Sequence, residues 1–393
     1  MRKVYLDHIA ATPLHPLARE SMLPFLKENF GNPQSLHSFG QPVLEAVEEA
    51  RVRVARLINA SAEEIFFTAS GSEANNFAVK GMALAQRDKG KHLVVSAIEH
   101  QSVLNSVKSL ERQGFQATLV PVSREALVDP QDVAKAITPQ TVLVSVMLAN
   151  SEVGSLQPAA EIARLCRARQ VPFHTDAVAA VGNIPVDVKA LGVDALSLAG
   201  DQFYGPKGSA ALYVRKGVRL LPFIDGGIQE GGRRGGTENV AGIVGLGTAA
   251  EAAANELDRR AEKAQALRDR LIEELPRRVE RVILTGHPTR RLPYHASFCI
   301  EFIEGEAMLL SLDMKGIAAS SGSACTSRAL KVSHVLLAMG LDHALAQGSL
   351  IFSLLDSTEA EDLDYVLEVF PPIVRRLREM SPLYTKYLEE SRK

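Results

Sequence analysis

The sequence predicts an α/β protein: a mainly parallel sheet covered by helices on both faces, followed by a smaller α+β unit. Three observations carry this. Short apolar runs rich in β-branched residues alternate with amphipathic stretches through the first half of the chain. The pattern restarts after a long alanine-rich helical segment. The chain has 393 residues, 46% of them hydrophobic and 23% charged, which is soluble globular composition on a length that accommodates more than one core.

Residues 42–57 open on Pro42, which suits a first helical turn, and carry apolar side chains at helical spacing. Residues 64–68 read as a strand, as do 92–96, 141–146 and 172–175. Between the first two, Gly71-Ser72-Glu73 enters a helix whose first backbone N–H groups can receive a phosphate. By itself that tripeptide is more often a plain cap. Residues 158–169 form a further helix. Thr237 is the expected N-cap of the alanine-rich helix, which reaches about Leu275 with the charged run 258–270 as its solvated face. A strand at 296–302, a helix at 305–315 and a small-residue loop follow. Ligands in such parallel sheets bind at the carboxyl ends of the strands.

Composition excludes several classes. A formal net charge of −2 provides no basic field for nucleic acid. No apolar run is long enough to span a bilayer, and Met1-Arg2-Lys3-Val4-Tyr5-Leu6-Asp7-His8 lacks a signal-peptide core. Three cysteines, Cys166, Cys299 and Cys325, are too few and scattered for a disulfide framework, so a reducing cytoplasm is expected. No spacing forms a metal motif. Cys325 stands apart, because Ala318-Ala319-Ser320-Ser321-Gly322-Ser323-Ala324-Cys325-Thr326-Ser327 is a Ser/Gly loop and cysteine is usually buried. An accessible thiolate there can meet two different sulfur partners. Cys166 and Cys299 read as packing residues.

These segments, taken together, resemble the NifS/IscS-type cysteine desulfurases, class V pyridoxal-phosphate (PLP) enzymes. The cysteine loop matches the family's persulfide-bearing loop. Tyr5-Leu6-Asp7, Ala10 to Pro13, the Gly31-Asn32-Pro33-Gln34-Ser35-Leu36-His37 loop, Gly71-Ser72, Glu99-His100-Gln101, Ala149-Asn150-Ser151-Glu152, His174-Thr175-Asp176, Gly236-Thr237-Glu238 and Ser333-His334-Val335 match in order. The resemblance implies the PLP-transferase type I fold, with a mainly parallel seven-stranded sheet in a large domain at 15–259 and a small domain of 1–14 with 260–393. It further implies a homodimer, with Thr237 reaching a phosphate across the interface. His100 would stack on the cofactor ring, Asn150 would lie near its phenolic oxygen and Asp176 would pair with its pyridine nitrogen. Asn32 would lie on the substrate side. Sulfur would leave through Cys325 to an iron–sulfur scaffold or another acceptor protein.

The departures fall on one function. Leu198-Ala199-Gly200-Asp201-Gln202-Phe203-Tyr204-Gly205-Pro206-Lys207-Gly208 resembles the family's Ser-x-His-Lys…Tyr-Gly-Pro-Lys-Gly signature, in which the first lysine holds PLP as a Schiff base. Gln202 takes that lysine's place, and an amide has no basic lone pair. Ala199 and Asp201 replace the phosphate-binding Ser and His, and Ala179 replaces a glutamine. Ile351 replaces the arginine that clamps the substrate carboxylate, and Asp356 falls where a second arginine is common. Three readings follow: a pseudoenzyme or persulfide carrier acting through Cys325, a desulfurase using PLP bound non-covalently, or a metal held by Asp201, Asp176, His100 and His174 in the altered pocket.

Overall fold

The computed structural model describes residues 2–322 and 332–391. Strands in chain order are β1 (Val4–Tyr5), β2 (Ile65–Thr68), β3 (His92–Ser96), β4 (Gln116–Val120), β5 (Thr141–Ser145), β6 (Phe173–Asp176), β7 (Ala195–Ala199), β8 (Ala210–Val214), β9 (Val282–Leu284), β10 (His295–Ile300), β11 (Ile317–Ala318) and β12 (Ser349–Ser353). Seven form one sheet in the order β2-β8-β7-β6-β5-β3-β4. Its pairs from β4 to β7 are parallel, and β8 runs antiparallel to both β7 and β2. Strands β3, β5, β6, β7 and β8 are buried along their whole length, because helices cover both faces. A three-stranded antiparallel sheet, β12-β10-β9, and the short parallel pair β1-β11 complete the strands.

Helices α1 (Pro16–Lys27), α2 (Gln41–Leu57), α3 (Gly71–Ala85) and α4 (Gln101–Glu111) lie in the first third of the chain. The chain then crosses between the two larger sheets on one continuous helix, Val240–Arg278, 39 residues long. Its cap is Asn239, whose side chain accepts the Gly242 N–H at 3.3 Å, and not the expected Thr237. Both residue types cap well, but Asn239 also donates to the Gly208 carbonyl, which fixes where the helix begins. The run 258–270 is not simply solvated either. Arg260, Ala264, Arg268, Leu271 and Leu275 form one buried stripe at helical spacing. Arg260 lies over the Tyr204 ring, and Arg268 donates to the Leu292 carbonyl. Burial of an arginine along a helix stripe is invisible to a charge count.

Other boundaries shift by one or two residues. The expected strand 296–302 is His295–Ile300, and Phe302 turns the chain at a φ of +73°. Cys166 and Cys299 are buried, as packing residues should be. Among the described residues, no helix is long and apolar enough to cross a membrane.

Candidate functional site

Five strands of the large sheet deliver their carboxyl ends to one place. The segments after β2, β3, β5, β6 and β7 line a cavity of about 510 Å³. They contribute Ser70, Gly71 and Ser72; Ile98, Glu99 and His100; Met147, Ala149 and Asn150; Asp176, Val178 and Ala179; and Ala199, Asp201 and Gln202. Ser320, Gly322, His334 and Ile351 close it from the C-terminal part of the chain. The first turn of α3 faces this space. Ser70 caps it by accepting the Glu73 N–H at 3.1 Å. A Cβ on Gly71 would meet Val178 Cγ2 at 2.6 Å, so only glycine brings this turn so close to the strand ends.

The best-organised wall is a hydrogen-bonded chain. Asn75 Nδ2 donates to Asp176 Oδ2 at 2.6 Å and to Ser102 Oγ at 2.9 Å. Ser102 Oγ lies 2.7 Å from His100 Nδ1, and the Ser102 backbone N–H donates to the same nitrogen. That backbone donor makes Nδ1 an acceptor, so the neutral ring carries its hydrogen on Nε2. Asp176 Oδ1 accepts the Val178 N–H at 3.0 Å. Beside this chain, Glu99 is fully buried. Its Oε1 accepts from Ser96 Oγ and Met147 N at 2.6 and 2.7 Å, while Oε2 has no partner among the described residues. Burial pushes the Glu99 pKa up to about 8; the two hydrogen bonds oppose that and the Asp176 charge adds to it. Glu99 is therefore the neutral acid at pH 7. Glu152 is raised to about 7 by burial, against the hydrogen bond it accepts from Ser333 Oγ. Burial lowers His334, whose Nε2 lies 2.9 Å from the Glu99 carbonyl.

Most residues expected from the sequence meet here. Gly71, Ser72, His100, Asn150 and Asp176 all line the cavity, as do Ala179, Ala199, Asp201, Gln202 and Ile351. Asn150 lines the cavity with its side chain engaged in the turn that follows β5. Its Oδ1 accepts the N–H groups of Glu152 and Val153, and its Nδ2 donates to the Ile98 carbonyl and Met147 Sδ, so it pins the turn. Asn32 and Thr237 lie outside the chain's own cavity. Asn32 is exposed and accepts the Gln34 N–H, and Thr237 is exposed. Asp356 is turned away into an ion pair with Arg259 at 2.9 Å. His174 sits inside the sheet between Ser145 and Ser197, and among the described residues no group of three or more His, Cys, Asp or Glu is placed to hold a metal. The metal expectation fails on that geometry. Cys325 lies outside the described residues. Sequence reasoning missed Asn75, Glu99, Glu152 and His334. Glu99, Glu152 and His334 stand in motifs given above and Asn75 lies just past Gly71-Ser72-Glu73, but only burial and the oxygen without a partner among the described residues give Glu99 meaning.

The fit to PLP is divided. Asp176 and the α3 N-terminus present what a pyridine nitrogen and a phosphate each need. The anchor side does not: Gln202 is buried with its Nε2 donating to the Ile9 carbonyl at 3.2 Å, and among the described residues no lysine or arginine lines the cavity. Lys207 is exposed in the following turn and does not reach the cavity. Ala199 offers the phosphate side a methyl group and Asp201 a carboxyl.

Residues 4–366 match the aminotransferase class-V family. The chain is 48% identical over 381 residues to the cysteine desulfurase IscS of Dictyoglomus turgidum, covering 97% of each chain. It is 49% identical over 385 residues to the cysteine desulfurase IscS of Methanosarcina thermophila, covering 98% of this chain and 95% of the relative. A solved NifS-like protein superposes with a TM-score of 0.90 at 35% identity, covering 96% of this chain and all of that one. The matches span both larger sheets and the cavity between the strand ends, and on that ground the chain belongs to the aminotransferase class-V family, among the IscS/NifS-type cysteine desulfurases.

Proposed function

We propose that this chain is a sulfur-handling member of the cysteine desulfurase family that no longer attaches PLP covalently and carries sulfur as a persulfide on Cys325. The observation that carries the reading is the anchor wall: buried Gln202 tied to the Ile9 carbonyl, with neither lysine nor arginine among the described residues that line the cavity. Ile351 adds to it, because a buried aliphatic side chain cannot receive the carboxylate of cysteine. Sulfur transfer needs no cofactor. The Cys325 thiolate attacks the outer sulfur of a donor persulfide; the donor S–S bond breaks and its electron pair leaves with the donor thiolate. The new persulfide then passes that sulfur to an acceptor thiol on a scaffold protein by the same exchange. A homodimer completes the reading, with exposed Thr237 offered to a neighbouring copy.

The test is twofold. The protein is incubated with PLP, desalted, examined by absorbance and given cysteine. It should emerge colourless and release no sulfide. Incubation with inorganic polysulfide should add one sulfur atom to the wild type by mass spectrometry and none to Cys325→Ser. A retained chromophore with cysteine-dependent sulfide release would establish the alternative, a desulfurase with non-covalent PLP. The intact Asp176–Asn75–Ser102–His100 chain favours that alternative.

A further inference from the structure

We propose that the cavity is a binding site for a small organic cation, a ring-sized amine, and that it selects against the phosphate ester of the same ligand. The proposal rests on the reading that the pocket no longer serves covalent PLP.

Charge is the first ground. The lining residues include the carboxyl groups of Asp176 and Asp201, the buried acids Glu99 and Glu152 with raised pKa values and, among the described residues, no lysine or arginine. The other titratable groups on the wall are the imidazoles of His100 and His334, the latter with its pKa lowered by burial. One feature favours an anion: the first turn of α3, worth roughly half a positive charge. Its Ser70 cap already takes the Glu73 N–H, and Glu73 Oε2 takes the Ala69 N–H. A half charge at one end does not offset full carboxylates at Asp176 and Asp201, and in a partly buried cavity their field is weakly screened.

Unmet hydrogen bonding is the second ground, and it is independent of the charge count. Asn75 Oδ1 belongs to a cavity-lining residue 1% exposed and has no partner among the described residues. The Asn75 amide orientation is fixed, because its nitrogen serves Asp176 and Ser102, so its orphan atom is an acceptor. A buried acceptor left unpaired costs about 1–3 kcal/mol, which a ligand N–H would recover. An ammonium or pyridinium supplies that donor beside a carboxylate that still has lone pairs free. Ile98, Met147, Ala149, Val178 and Ile351 give an apolar body its walls. A phosphate in the same place would meet the Ala199 methyl and the Asp201 carboxyl.

Two probes differing only in the phosphate test this: pyridoxamine and pyridoxamine 5′-phosphate, titrated calorimetrically into the wild-type protein at one pH and ionic strength. Pyridoxamine should bind at least about tenfold more tightly, and its affinity should fall as salt is raised. Asp201→Asn, which keeps the backbone carbonyl that Thr12 uses, should bring the two affinities to within about threefold. Equal or tighter binding of the phosphate ester, or no binding of pyridoxamine, overturns the proposal. Loss of the sulfur-relay reading shows separately, as cysteine-dependent sulfide release, and does not alter the affinity ratio.

Discussion

At the scale of single residues, Glu99 is the most unusual group in the molecule. It is a buried acid with one oxygen accepting two hydrogen bonds and the other without a partner among the described residues. Its pKa lies near 8 in the folded protein against 4.5 when free. The unfolded chain therefore loses this proton first as pH rises, and the folded state holds it longer. Stability is greatest below the unfolded value and declines through the interval up to about pH 8. Glu99→Gln keeps an acceptor for Ser96 and Met147 and removes the titration. Chemical denaturation at pH 5, 6, 7 and 8 should show the wild type losing stability more steeply than the variant, by up to about 1.4 kcal/mol per pH unit. Parallel slopes would mean that Glu99 is ionised in the folded state. Gln202 shows the same principle in a neutral group: a buried amide persists where it finds a carbonyl, here that of Ile9.

Among elements, the helix Val240–Arg278 decides most, since it packs against α1 and α2 and continues to β9 and β10. Where it starts is set by one side chain. Asn239→Ala removes the acceptor for Gly242 N–H and the donor to Gly208, and should cost about 1 kcal/mol in urea unfolding. Thr237→Ala, two residues earlier on the exposed approach, should stay within about 0.5 kcal/mol. Equal losses at both positions would put Thr237 back in the cap. A second anchor is the pair of Arg51 on α2 with Glu230, at 2.7 and 2.9 Å, with Glu230 also accepting the Phe67 N–H of β2. That bidentate pair holds the approach to Thr237 against the large sheet.

For the whole molecule, the question is what covers the loop between α1 and α2. Leu36 is 94% exposed, Phe30 75% and Phe39 61%. The Phe30 and Phe39 rings lie 5.8 Å apart, and Gln34 joins this loop to Glu238 beside Thr237. So many large apolar side chains together are costly to leave in water. If this face joins two copies, Leu36→Asp should convert the dimer to a monomer in sedimentation velocity without changing the circular dichroism spectrum. A variant with the wild-type mass would place the interface elsewhere, and a monomeric wild type would remove the dimer.

The sequence by itself determined the sheet, the helices that cover it and the family. β-Branched runs, proline starts and small-residue turns are local signals, and they survive as printed in the chain. It also singled out Gln202, Asp201, Ala199 and Ile351 as the positions to question, because the segments that hold them resemble the family's own. Tertiary structure alone decided three things. It chose Asn239 over Thr237, because a contact with Gly208, 31 residues earlier in sequence, fixes the helix start. It buried Arg260 and Arg268 in what reads as a charged surface run. And it brought Glu99, Asn75 and Asp201, distant in sequence, onto one wall, where Asn75 Oδ1 and Glu99 Oε2 have no partner among the described residues. Burial and hydrogen-bond closure are properties of what surrounds a side chain, and those surroundings exist only once the strand ends have been brought together.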